Sequence, residues 1–143
     1  MKLFTIGFSQ KSAEEFFYLL KSSNIVRLID IRLNNKSQLA GFTNVKHLPY
    51  LLKIHDIDYL YRSDLAPTRE LLNGFKNKSI SWDEYKAQYN KILLQRNVIE
   101  NIDWKIFENS VLLCSEPTAE RCHRRLLAEY LAKNNRDIKI IHL

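Results

Sequence analysis

The chain has 143 residues, 45% hydrophobic and 27% charged, with only 3 glycines and 3 prolines. That composition excludes a disordered or collagen-like chain, and the length suits one domain, 1–143, with a substantial core. The formal net charge of +6 favours polyanions such as nucleic acids or phosphorylated ligands, although the basic residues are spread along the chain rather than blocked.

No apolar run approaches the roughly 20 residues of a membrane-spanning helix. Met1-Lys2 leads straight into LFTIGF without the pattern of a leader, so a cytoplasmic location without membrane contact is expected. Two cysteines in such a setting are expected to be reduced.

Leu3–Ile6 is a short apolar run ended by Gly7, the pattern of a buried strand. Gly7 permits either a tight turn or a close backbone approach. Ser12 followed by Glu15 is a capping-box signature, and Phe16, Phe17, Leu19 and Leu20 supply the apolar face of the helix it opens. Ile25–Ile31 reads as a central strand with Asp30 and Arg32 at its carboxyl end. Leu33–Val45 is a polar loop. His47–Ile54 reads as a short helix with Leu48, Leu51 and Leu52 inward, and Ile57–Tyr61 as a third strand.

Thr68–Phe75 forms another short helix. Ser81 and Glu84 repeat the capping box, and Trp82, Tyr85, Tyr89, Ile92 and Leu93 recur at helical spacing through Gln95. Val98–Phe107 reads as a further helix, which makes 68–107 a helical insertion or side layer packed on the sheet. Ser110–Cys114 is the fourth strand. Pro117 suits the first turn of the next helix. Its stripe is Ala119, Cys122, His123, Leu126, Leu127, Tyr130 and Leu131, with Arg121, Arg125 and Ala128 opposite. Ile138–Ile141 is the last strand.

Strands alternating with helices predict an α/β fold: one three-layer, Rossmann-like domain with a mostly parallel sheet of about five strands. Such sheets bind ligands outside the carboxyl ends of their strands. The polar groups delivered there are Gly7 and Ser9, Asp30 and Arg32, Arg62 to Asp64, and Cys114 to Glu116.

Cys114 is the candidate nucleophile, because helix amides and arginines nearby would favour its thiolate. Asp30 or Glu116 could move a proton or orient a group. The spacing of cysteine phosphatases, Cys and then Arg after five residues, is missed: Arg121 falls one position late. Gly7 stands alone, so no dinucleotide cofactor is expected. Cys114, Cys122 and His123 are metal-ligating types, but adjacent helical residues diverge by about 100°, and no metal is expected. The 7 tyrosines and 7 phenylalanines suit base stacking, yet most fall on buried faces.

Three segments together resemble a known family. They are Thr5-Ile6-Gly7-Phe8-Ser9 with Glu15-Phe16, Leu28-Ile29-Asp30-Ile31-Arg32, and Leu112-Leu113-Cys114-Ser115-Glu116 with Cys122-His123-Arg124. The chain resembles, over nearly its whole length, the microbial family called domain of unknown function 488. The resemblance implies a single α/β domain and a shared pocket of Asp30, Arg32, Cys114, Glu116, Cys122, His123 and Arg124. It implies no reaction. The family's usual opening has His where Phe8 stands, and its basic, proline-containing stretch after Asp-x-Arg reads Leu33-Asn34-Asn35-Lys36 here.

The expectation is an enzyme acting on a small anionic substrate, phosphorylated, nucleotide-like or a nucleic acid. Cys114, Glu116 and Asp30 would do chemistry. Gly7, Ser9, Arg32, Cys122, His123 and Arg124 would bind, with Arg32 and Arg124 holding the anion. The alternative is a non-enzymatic module that binds nucleic acid or protein.

Overall fold

The computed structural model describes residues 1–38 and 40–143; of the polar loop 33–45, only residue 39 lies outside the described residues. Among the described residues the strands are β1 (Lys2–Gly7), β2 (Arg27–Asp30), β3 (Asp58–Tyr61), β4 (Ser110–Cys114) and β5 (Lys139–His142). They form one sheet in the order β3-β2-β4-β1-β5, and every pairing is parallel. Helices α1 (Ala13–Ser22) and α2 (Leu48–Ile54) cover one face, and α3 (Arg69–Lys76), α4 (Trp82–Gln95) and α5 (His123–Asn134) the other. This is the Rossmann-like, three-layer α/β arrangement that the alternation of elements predicts.

The central strand β4 is buried on both sides, as a parallel strand between two helical layers must be. Val111 and Leu113 join the cluster under α1 and α2, while Leu112 joins the one under α4 and α5. Both serine N-caps form: Ser12 accepts from the Glu15 amide and Ser81 from the Glu84 amide, each at 3.1 Å. Phe16 and Leu20 of α1 are fully buried, each contributing about 2–3 kcal/mol by leaving water. No helix of the described residues is long and apolar enough to cross a membrane.

Three expectations need correction. The helix expected at Val98–Phe107 is a run of turns followed by a 3₁₀ turn, Trp104–Phe107. Asn97, in the left-handed region at φ 51°, stops α4 and reverses the chain. The segment 68–107 does pack on the sheet as expected: it is the β3–β4 crossover, and with α5 it forms one whole layer. Finally, α5 begins at His123 rather than near Pro117, so Ala119 and Arg121 lie in an irregular segment. Ala128, expected on the open side, is fully buried, as is Arg124.

Candidate functional site

β1 and β4 run side by side, with Gly7 in register with Cys114. Their pairing continues past the strand ends, where the Phe8 amide donates to the Cys114 carbonyl (3.3 Å) and the Ser9 amide to the Ser115 carbonyl (3.0 Å). β1 leads into α1 on one face and β4 leads toward α5 on the other, so the chain parts here, as at ligand-binding sheet edges generally. A cleft of about 870 Å³ opens at this edge.

Cys114, Cys122 and His123 line the inner part of the cleft. Their sulfur and ring nitrogen atoms all lie within 4.8 Å of one another, in burial. The divergence expected of adjacent helical residues does not apply. Cys122 is not helical: it sits at φ −137°, ψ 143°, just ahead of α5, and this extended backbone turns its sulfur beside the imidazole of His123.

His123 is held on three sides. Its Nε2 lies 2.9 Å from the Ile31 carbonyl oxygen; a carbonyl only accepts, so Nε2 carries a proton. Nδ1 then faces Cys114 Sγ at 3.4 Å, and Tyr89 meets the ring edge-on at 5.8 Å. Both cysteines are free thiols. A hydrogen bond from Cys122 pulls the Cys114 thiol well below its usual range; burial opposes this, and the charge of His123 adds to it. Burial, and then Cys114 itself, push Cys122 well above its range. Burial lowers His123, but the neighbouring Cys114 outweighs it and the net shift is upward. All three shifts favour the charge-separated arrangement, a Cys114 thiolate between an imidazolium and a neutral thiol.

Arg124 lies beneath this group with no exposed surface. Its Nη1 donates to the Glu116 carbonyl at 2.7 Å and approaches Cys122 Sγ at 3.6 Å. Its Nε and Nη2 are buried without a hydrogen-bond partner among the described residues. Gly7 fits against the same place: a Cβ there would stand 1.5 Å from the Glu116 oxygen and 2.8 Å from Arg124 Nη1. Gly7 does not have positive φ, so close approach, not a tight turn, is what it provides.

Asp30 and Arg32 pair with each other. Arg32 Nε and Nη2 each donate to one Asp30 carboxylate oxygen at 2.8 Å, and the Tyr59 hydroxyl donates at 2.7 Å. Arg32 also donates to the Thr43 carbonyl (2.7 Å), near the end of the polar loop. Phe8 packs its ring over the Arg32 guanidinium at 5.5 Å, a cation–π contact. Arg32 still forms part of the cleft wall, whereas Asp30 is fully buried. Arg62 and Asp64 pair with each other at 2.8 Å and take no part in the cleft lining. Ser9 and the exposed Glu116 do line it.

Apart from Arg121, the sequence does not single out the rest of the rim. Lys11, Arg69, Lys76 and Arg121 line the cleft against the single carboxylate of Glu116. Burial and then the charge of Arg124 lower the pKa of Lys11. Arg69 and Lys76 lie a heptad apart on one face of α3, and only the folding of α3 over the sheet edge gives that spacing meaning. Tyr85, also in the cleft, has its hydroxyl pushed up by burial and then by Cys114, so it stays protonated.

Fold and site together define an α/β protein with a buried cysteine–histidine centre at the floor of a basic cleft. The family model of domain of unknown function DUF488 matches residues 12–131, and the chain belongs to that family. No curated protein and no solved structure matches the chain significantly.

Proposed function

We propose that the cleft is the active centre of an enzyme in which the Cys114 thiolate attacks an electrophilic atom of a small anionic substrate, phosphorylated or nucleotide-like. One observation carries the reading: Cys114 Sγ stands 3.4 Å from a ring nitrogen of His123, whose other nitrogen the Ile31 carbonyl fixes. That is the nucleophile, its proton-carrying partner and the orienting group of covalent catalysis. Lys11, Arg69, Lys76 and Arg121 face the anion. Attack forms a bond from Sγ to the electrophile, and the leaving group departs with the bonding pair and a proton from His123. Glu116, exposed at the mouth, is placed to activate the water that releases the product. Gly7 and Arg124 hold the Glu116 backbone, and Asp30 acts through Arg32 rather than on substrate.

Iodoacetamide labelling of Cys114 against pH tests the reading. The expected rate stays high well below pH ~8.5, where a free thiol loses reactivity, and falls when inorganic phosphate or a nucleoside monophosphate occupies the cleft. A profile like that of a free thiol would remove the nucleophile. The basic rim beside Phe8, Phe75 and Tyr85 favours a second reading, a nucleic-acid-binding module. Salt-sensitive retention of oligonucleotides by a protein with an ordinary Cys114 profile would support it.

A further inference from the structure

We propose that Cys114 and Cys122 are a redox pair: a hydroperoxide entering the cleft oxidises Cys114, and Cys122 then closes a reversible disulfide that silences it. The inference rests on the reading of Cys114 as the thiolate, and it adds both a second substrate class and a means of regulation.

The geometry divides the labour between the sulfurs. Cys114 ends a central strand, fixed by its carbonyl's bond to the Phe8 amide. Cys122 ends the irregular segment 115–122, exposed at Glu116, Thr118, Glu120 and Arg121. Both sulfurs border the cleft, and they stand within 4.8 Å of each other. A disulfide needs about 2.05 Å. The loop side can supply the movement without disturbing the sheet.

The chemistry balances in two steps. The Cys114 thiolate attacks the peroxide, the O–O bond breaks, and an S–O bond forms. The alkoxide or hydroxide released takes a proton from His123, which leaves a sulfenic acid. Cys122 sulfur then attacks the sulfenic sulfur, and the hydroxyl leaves as water with the proton of Cys122. Two thiols are oxidised and one peroxide is reduced to alcohol or water. Arg124 Nη1, 3.6 Å from Cys122 Sγ, stabilises the charge that grows on that sulfur as its proton departs. The same guanidinium, buried and lacking partners for two of its nitrogens among the described residues, opposes a divalent cation at the three ligating atoms.

The test uses the whole chain, treated with hydrogen peroxide in the presence of a chelator and then mapped by mass spectrometry. The expected product has lost the mass of two hydrogens, yields a Cys114–Cys122 cross-linked peptide, no longer reacts with iodoacetamide, and regains reactivity with dithiothreitol. Cys122→Ser, with Cys122→Ala as a second variant should the serine misfold, is expected to halt at a Cys114 sulfenic acid that dimedone captures. Oxidation of wild-type Cys114 to sulfinic acid without a cross-link, or no oxidation at all, would overturn the pair. If labelling against pH still finds an acidic Cys114 in that case, the nucleophile survives and only the redox pair falls. An ordinary Cys114 profile would sink both.

Discussion

Gly7→Ala probes the contact on which the whole edge of the sheet rests. The new Cβ would stand 1.5 Å from the Glu116 oxygen and 2.7 Å from its carbonyl carbon, both backbone atoms. No side-chain rotation relieves that overlap, so either β1 or the 115–122 segment must shift. Overpacking ordinarily costs about 1–3 kcal/mol, and a backbone-on-backbone clash belongs at the top, about 3 kcal/mol. For a chain of this size that lowers the midpoint of thermal unfolding by about 10 °C. The control is Gly41→Ala, where an added Cβ meets nothing within 4 Å. Alanine there restricts the unfolded chain and is worth about 0.4–1 kcal/mol of stabilisation. Differential scanning calorimetry of both variants decides the matter. Gly7→Ala melting within about 2 °C of Gly41→Ala would show that the Glu116 backbone does not lie against Gly7, and the placement of Arg124 would fall with it.

Three further outcomes follow from the site. Because a hydrogen bond from Cys122 and the charge of His123 are what hold the Cys114 thiol down against burial, Cys122→Ala and His123→Gln should each move the fall-off of iodoacetamide labelling to higher pH; labelling profiles unchanged in both would refute the assignment of the thiolate. Asp30→Asn strands the charge of Arg32, 3% exposed, and should cost about 3–5 kcal/mol in urea unfolding. Tyr59→Phe removes a single hydrogen bond to that carboxylate and should cost about 1.5–3 kcal/mol; an Asp30→Asn loss no larger than the Tyr59→Phe loss would count against a buried ion pair. Arg124→Met removes the donor to the Glu116 carbonyl and should cost about 1–3 kcal/mol, and it should also raise the pH at which Cys114 labels. A loss above about 3 kcal/mol with an unchanged profile would make Arg124 purely structural.

The strands were legible because each is an apolar run that ends on polar residues at the same sheet edge: Gly7, Asp30, Arg62 and Ser115. The Ser12 and Ser81 caps were legible because the bond from hydroxyl to amide is made within one turn. What stayed hidden depends on contacts distant in sequence. Pro117 is compatible with a helix start, but Arg124 reaches back to the Glu116 carbonyl and keeps 115–122 irregular. The apolar spacing of Ile99, Ile102 and Ile106 imitates a helix, yet those residues reach the core from turns. The Cys122–His123 geometry was misjudged because it was read on a helix that begins one residue later. Arg69 and Lys76 carry no local mark at all.

Arg124 joins the cysteine–histidine centre to the Glu116 segment. A guanidinium with no exposed surface and two nitrogens without a partner among the described residues is a poor choice for stability alone, because each unmet donor costs about 1–3 kcal/mol. Its effects on its neighbours share one sign. After burial, its charge is the next cause lowering Lys11 and His142, and it also favours the charged forms of Cys114 and Cys122. Every cation nearby is made less comfortable and every anion more so. The sequence Cys122-His123-Arg124 is thus one device. Its cysteine and histidine flank Cys114, and its arginine ties the Glu116 backbone down over Gly7. The field it sets in the protein interior is one that an anion in the cleft, the Cys114 thiolate first among them, is best placed to relieve.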